Sequence, residues 1–319
     1  MSRERYVYSI PMRTRFRGIT VREGMLLRGA AGWAEFSPFL DYDATVARPW
    51  LAAALEAAED GWPAPLRDRV PVNVTVPAVG PDRAATLVRD SGGCRTAKVK
   101  VAEPGQSLAE EQARLEAVRD ALGPDGKIRV DANGLWSVDE AVTAIRALDR
   151  AAGGLEYVEQ PCARVEDLAL VRRKVDVPIA ADESIRRAED PYRVRDLAAA
   201  DVAVLKVQPL GGVRACLRIA ADIGLPVVVS SALETSVGIA AGVALAAALP
   251  ELQHACGLAT VQLLTGDVCD SPLLPRDGTL PVVRPDVRDP ARWAAAPERA
   301  AFWERRLADT EAVGQDRSS

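Results

Sequence analysis

The chain has 319 residues, 48% of them hydrophobic and 27% charged, which is ordinary for a globular protein and enough to bury a large core. Forty basic against 45 acidic side chains leave a formal charge of -5, too small and of the wrong sign for a phosphate-binding face, so nucleic acid is excluded as an expected partner. Five scattered cysteines (Cys94, Cys162, Cys216, Cys256 and Cys269) form no CxxC pair, and a lone histidine, His254, leaves no basis for a zinc site; reduced thiols and a cytoplasmic setting are expected.

In chain order, MSRERYVYSIPMRTRFRG lacks the apolar core of a secretory signal. Residues 4–12 and 19–28 read as extended segments joined by a short basic turn, with GWAEFSPF (32–39) as a third. Helical spacing over 44–60 completes an expected α+β capping domain, 1–70. From Val72 the pattern becomes β-rich runs near 72–76, 97–101, 127–131, 155–159, 178–182, 202–206, 226–230 and 252–256. Helix-like stretches lie between them at 107–122, 137–150, 165–174, 190–199, 213–223 and 236–248. Ser107 before LAEE and Ser137 before VDEA have the form of helix N-caps, with Glu110 and Glu140 at the reciprocal third position. Eight parallel strands predict a barrel over 71–278; the alternative, an open doubly wound sheet, lacks its Gly-rich fingerprint in VNVTVPAVGPD. The apolar stretch 238–249 is stopped by Pro250 and Glu251, short of a membrane span, so no membrane segment is expected. TLPVV (279–283) and the helical PERAAFWERRLADT should return to the cap over 279–313, leaving 314–319 as a mobile tail.

Lys100, Asp131, Glu159, Asp182 and Lys206 end successive apolar runs, at intervals of 31, 28, 23 and 24 residues. Each interval is about one strand, crossover helix and next strand, so one charged group per βα unit predicts a shared barrel mouth. Asp131, Glu159 and Asp182 offer three oxygen ligands and no soft donor, which suits Mg²⁺, with Mn²⁺ as a substitute. Taken singly, each acid could equally cap a helix or pair with an arginine. Asn133 and Gln160 stand next to acids and could hydrogen-bond them. Lys98 and Lys100, at i and i+2 of one strand, share a face, and like charge and burial should pull a lysine there towards neutrality. Lys206 should approach from the other side. Amines around a divalent cation suit removal of a proton α to a carboxylate, on a small-molecule carboxylate substrate.

These residues resemble the enolase superfamily, specifically its muconate-lactonising subgroup, which carries KxK on the second barrel strand, Asp, Glu and Asp on the third to fifth and Lys on the sixth. Within it, the o-succinylbenzoate synthases are the most similar, on TAKVKV, VDANGLW, EYVEQPC, ADES, LKVQPLGGV, SSALETSVG and GLATVQLLTGDV. The resemblance implies a (β/α)7β TIM-like barrel with an N-terminal α+β capping domain. It implies Mg²⁺ on Asp131, Glu159 and Asp182, Lys100 as acid/base, Lys206 holding charge against the intermediate, and Lys98 tuning Lys100. It also implies dehydration of 2-succinyl-6-hydroxy-2,4-cyclohexadiene-1-carboxylate to o-succinylbenzoate on the route to menaquinone. Substrate contacts would come from Ser230, Ser231, Asn133, Gly257 and Leu258, and from the cap turn Arg13–Gly18. The alternative in the same superfamily is racemisation of N-succinylamino acids or epimerisation of dipeptides, by relay between Lys100 and Lys206. Neither residues nor resemblance sets an oligomeric state.

Overall fold

The computed structural model describes residues 4–186 and 191–315. It opens on an antiparallel meander of β1 (Arg5–Phe16), β2 (Ile19–Gly29) and β3 (Gly32–Phe36). Arg17 and Gly18 both take positive φ in the β1–β2 turn, which lets two residues reverse the chain. Helix α1 (Ala44–Leu55) begins at Asp43, whose carboxylate accepts the Val46 amide at 2.9 Å, and a π-helical turn, Glu56–Asp60, prolongs it.

The rest is a wound sheet. After the short β4 (Arg69–Pro71) come β5 (Val74–Val76), α2 (Pro81–Arg89), β6 (Thr96–Lys100), α3 (Leu108–Leu122), β7 (Lys127–Asp131) and α4 (Val138–Ala152). Then follow β8 (Tyr157–Glu159), α5 (Val165–Arg172), β9 (Ile179–Ala181), α6 (Glu183–Arg186), α7 (Arg193–Asp196), β10 (Val202–Leu205), α8 (Val213–Ile223), β11 (Val227–Val229) and α9 (Ser236–Ala248). Strands β5 to β11 pair in parallel in sequence order. The eighth strand expected at 252–256 is reduced to two bridges, Val72 to Cys256 and Ser230 to Gly257. They suffice to close the ring: the Cys256 amide donates to the Pro71 carbonyl at 2.8 Å and the Gly257 amide to the Val229 carbonyl at 2.8 Å. The architecture is therefore a (β/α)7β barrel beneath an α+β cap.

Strand alternation sorts the side chains. In β7, Ile128 and Val130 join the apolar core, whereas Arg129, Tyr157 of β8 and Asn73 meet in hydrogen bonds of their own. Helix α9 is buried almost all round, which explains its apolar sequence; among the described residues no helix is long and apolar enough to cross a membrane. Strand β12 (Thr279–Pro281) pairs antiparallel with β4, and α10 (Pro297–Gln315) packs on the cap, Trp303 standing edge-on to Phe36 at 6.2 Å. Arg306 fastens this helix by donating to the Phe39 and Tyr42 carbonyls at 2.7 and 2.6 Å. Of the tail expected from 314, residues 316–319 lie outside the described residues.

Candidate active site

Register places the charged groups on one rung. Lys100 pairs with Asp131 across β6 and β7, and Asp131 with Glu159 across β7 and β8, so three strand ends stop level. Asp182 lies just past β9 and Lys206 just past β10. Lys98, Lys100, Asp131 and Lys206 line one cavity of about 530 Å³, which Phe16 and Arg17 of the cap turn also reach.

All three carboxylates are buried, and amines bind them in a chain. Lys98 Nζ bridges Asp131 at 2.9 Å and Glu159 at 2.5 Å. Lys100 Nζ donates to Asp131 Oδ2 and to Asn133 Oδ1, both at 2.6 Å, and Lys206 Nζ to Asp182 Oδ2 at 2.6 Å. Burial opposes ionisation of Asp131, but Lys100 and Lys98 hold its carboxyl well below the usual range. Asp182 is lowered in the same way, against its burial, by Arg186 and Lys206. Glu159 goes the other way: burial, then the negative charge of Asp131, pushes it up to about 7. Lys98 is raised well above an ordinary lysine, against its burial, by Asp131 and Glu159. This reverses the downward pull expected of a buried lysine beside another, because two carboxylates in contact outweigh burial and like charge.

Ser230 and Gly257 touch across the final bridge, where a side-chain carbon at 257 would come within 2.7 Å of Ser230 Oγ, so only glycine fits without displacing the serine. Ser231 Oγ shares a hydrogen bond with Thr260 Oγ1 at 2.8 Å. Ser230, Ser231, Asn133 and Gly257 all line the cavity. Leu258 does not: it is buried in the core against Gly242 of α9, turned away because the backbone leaves the bridge at Gly257. Gln160, with φ of 41°, fastens the end of β9 from beneath, its Oε1 accepting the amides of Asp182 at 3.0 Å and Ser184 at 3.1 Å.

Residues 82–286 match the family described as enolase C-terminal domain-like, and residues 7–58 the one described as enolase N-terminal domain-like. An o-succinylbenzoate synthase of Thermobifida fusca is 68% identical over 96% of this chain and 95% of its own length, and one of Mycolicibacterium smegmatis is 59% identical over 93% and 92%. The chain belongs to the enolase-like family, in its o-succinylbenzoate synthase branch. In fold, a dipeptide epimerase from Enterococcus faecalis, crystallised with Mg and the dipeptide L-Leu-L-Tyr, superposes with a TM-score of 0.74 at 22% identity, covering 89% of this chain and 97% of its own.

This member of the enolase-like family carries site residues that the sequence reading passes over. Arg186, on the short α6, donates to Asp182 Oδ1 at 2.8 Å, to Glu183 Oε1 at 2.5 Å and to Tyr42 of the cap at 3.2 Å. The i, i+4 spacing of Asp182 and Arg186 was the available signal. Among the described residues no three Asp, Glu, His or Cys side chains stand ready as a metal cage; the amine nitrogens are inserted between the acids. The donor set nevertheless suits a hard divalent ion. It is all oxygen, and Glu159 Oε2 is buried without a hydrogen-bond partner, an acceptor that a cation would satisfy once the amines swing aside.

Proposed function

We propose that this enolase-like chain is an o-succinylbenzoate synthase, a carbon–oxygen lyase that dehydrates 2-succinyl-6-hydroxy-2,4-cyclohexadiene-1-carboxylate to o-succinylbenzoate in menaquinone biosynthesis. The observation that carries the reaction class is the pair of flanking amines: Lys100 on Asp131 and Lys206 on Asp182, at opposite ends of a row of buried carboxylates, with both amines and Asp131 lining one cavity while Glu159 and Asp182 lie behind its wall. The substrate follows from relatives of that name with 59% and 68% identity over nearly their whole length.

Asp131, Glu159 and Asp182 would hold one Mg²⁺. When bound, the ion supplies positive charge where a carboxylate gains negative charge on losing its α proton. Lys100, as the free amine, takes that proton. Asn133 Oδ1, at hydrogen-bond distance from its Nζ, keeps the nitrogen aimed. The electron pair released from the C–H bond is stored in an enediolate and then expels the ring hydroxyl. Lys100 returns its proton to that oxygen on the same face, so water leaves, the ring becomes aromatic and the amine is restored. Lys206 keeps its proton throughout and offers charge to the intermediate, as a preorganised group in a buried site can.

A second reading rests on the same two amines: with one on either flank, a proton taken by Lys100 could be delivered back by Lys206, inverting an α carbon. The deciding experiment follows aromatic product from the cyclohexadiene substrate with and without Mg²⁺, beside α-deuteration of N-succinylamino acids in D₂O. Metal-dependent dehydration with slow or no deuteration is the expected result. Deuteration without dehydration would make the chain a racemase.

A further inference from the structure

One wall of the cavity is the turn after β11, where Ser231, Ala232 and Leu233 all face the space. Leu233 has a φ of 65°, a left-handed conformation that side chains other than glycine rarely adopt, so local preference does not hold this turn in shape. What holds it comes from the cap. Arg22, buried in the middle of β2, donates from Nε to the Leu233 carbonyl at 3.0 Å and from Nη2 to the Ala232 carbonyl at 3.3 Å. The rest of its guanidinium is engaged within the cap, on the Ser37 carbonyl at 2.5 Å, Ser37 Oγ at 2.8 Å and the Glu23 carbonyl at 3.1 Å. All these acceptors are neutral, so the planar fork acts as a template that fixes carbonyl positions.

The turn is also held from its far end. Glu35 of β3 takes the Thr235 amide at 3.0 Å, the Thr235 hydroxyl at 2.5 Å and the Gly238 amide at 3.1 Å, anchoring the first turn of α9 to the cap. Glu234 Oε2 accepts the Ala232 amide at 2.7 Å from within the turn. Arg22, Glu35 and Glu234 do not themselves line the cavity. What they contribute to a bound molecule passes through the backbone of residues 232–235 and, for Arg22, through the ring of Phe39, a lining residue whose centroid lies 4.8 Å from the guanidinium carbon.

We propose that Arg22 is a positioning residue for substrate specificity: by holding two consecutive carbonyls of a strained turn, it sets where Ser231 and Leu233 stand against the part of the substrate that does not react. The choice of substrate rests on the preceding functional reading; the grip of the cap on the cavity wall does not. Loss of Arg22 should cost affinity more than chemistry, because Lys100 and Lys206 are held by other partners.

The test uses the full chain carrying Arg22→Met, which keeps the apolar stem and removes every donor, and Arg22→Lys. For Arg22→Met we expect KM for the cyclohexadiene substrate to rise about tenfold with kcat within about threefold of wild type, the pattern of lost uniform binding. Amide hydrogen exchange should quicken in residues 230–238 and stay unchanged in 97–101 and 127–131. A folded, active variant with wild-type KM overturns the proposal, whatever its melting temperature, and reduces Arg22 to a cement between cap and barrel. Should Arg22→Met not fold, Arg22→Lys carries the same test, with a KM rise of about threefold expected and an unchanged KM overturning the proposal. Should wild type fail to turn over this substrate, the functional reading falls, and exchange alone decides: faster exchange confined to 230–238 supports the positioning role, and unchanged exchange removes it.

Discussion

Lys98 and Lys100 are two positions apart on one strand, yet their surroundings give them different tasks. Lys98 is 6% exposed and bridges two carboxylates that raise its affinity for a proton, so it is built to stay charged. Lys100 touches one carboxylate and the neutral Asn133 amide, and it borders the cavity, where a substrate proton could reach it. Lys100→Ala should therefore lower kcat by about 10²–10⁴-fold, the usual range for a positioned acid/base, while circular dichroism stays that of wild type; unchanged turnover would remove it from the chemistry. Glu159→Gln tests a different role. Its unpartnered Oε2 gives the clearest vacant acceptor in the row, so Mg²⁺ affinity measured by calorimetry should fall by at least about tenfold, and an unaltered affinity would move the ion elsewhere. These residues were legible in the sequence because each ends a strand or stands just past one, and the strands recur at intervals of about one βα unit. Arg186 was less so, since it ends a four-residue helix that no periodicity announces, one turn after its partner Asp182.

Among the elements, those with chemical punctuation were the easiest to read. Helices α3 and α4 begin at Ser107 and Ser137, and in both the serine and the glutamate three residues on exchange hydrogen bonds with each other's amides. Ser137→Ala should cost about 1 kcal/mol of unfolding free energy in urea, the ordinary value of an N-cap, without changing kcat; a difference near zero would mean solvent replaces the cap. Helix α2 opens at Gly80 with Pro81 in its first turn and has no side-chain cap, so it lacks the Ser–Glu punctuation that marks α3 and α4. The helix expected over 190–199 is found only as Arg193–Asp196, with residue 190 outside the described set. The eighth strand is shorter than expected: Leu252 to Cys256 falls at the spacing of the other runs, but Gln253 and His254 interrupt it, and register with its neighbours is met only at Cys256 and Gly257. Propensity alone does not say how many rungs a closing segment shares.

At the scale of the whole molecule, barrel closure leans on side chains where the backbone ladder is thin. Glu156, just before β8, accepts Arg129 Nε of β7 at 2.8 Å and lies 3.0 Å from His254 Nδ1 of the closing segment, while Arg129 Nη1 donates to the Ala255 carbonyl at 2.8 Å and to Tyr157 Oη at 3.0 Å. One carboxylate, which Lys127 Nζ also approaches at 3.3 Å, thus ties the third and fourth barrel strands to the segment that shuts the ring, at the end of the barrel away from Lys98, Lys100 and Lys206. Burial opposes its charge, but the His254 hydrogen bond and the Arg129 guanidinium hold its pKa down to about 2. Because the folded value lies below the ordinary carboxylate value near 4.5, the stability Glu156 contributes is fully present above that pH and is lost as pH falls from there through about 2. Glu156→Gln leaves the buried Arg129 without its counter-charge, which should cost about 3 kcal/mol at pH 7. The gap between wild type and variant, read from urea unfolding at a series of pH values, should hold steady from pH 7 to 5 and shrink below about 4.5. A gap independent of pH down to about 2 would mean that shape, and not charge, makes Glu156 the clasp of the barrel.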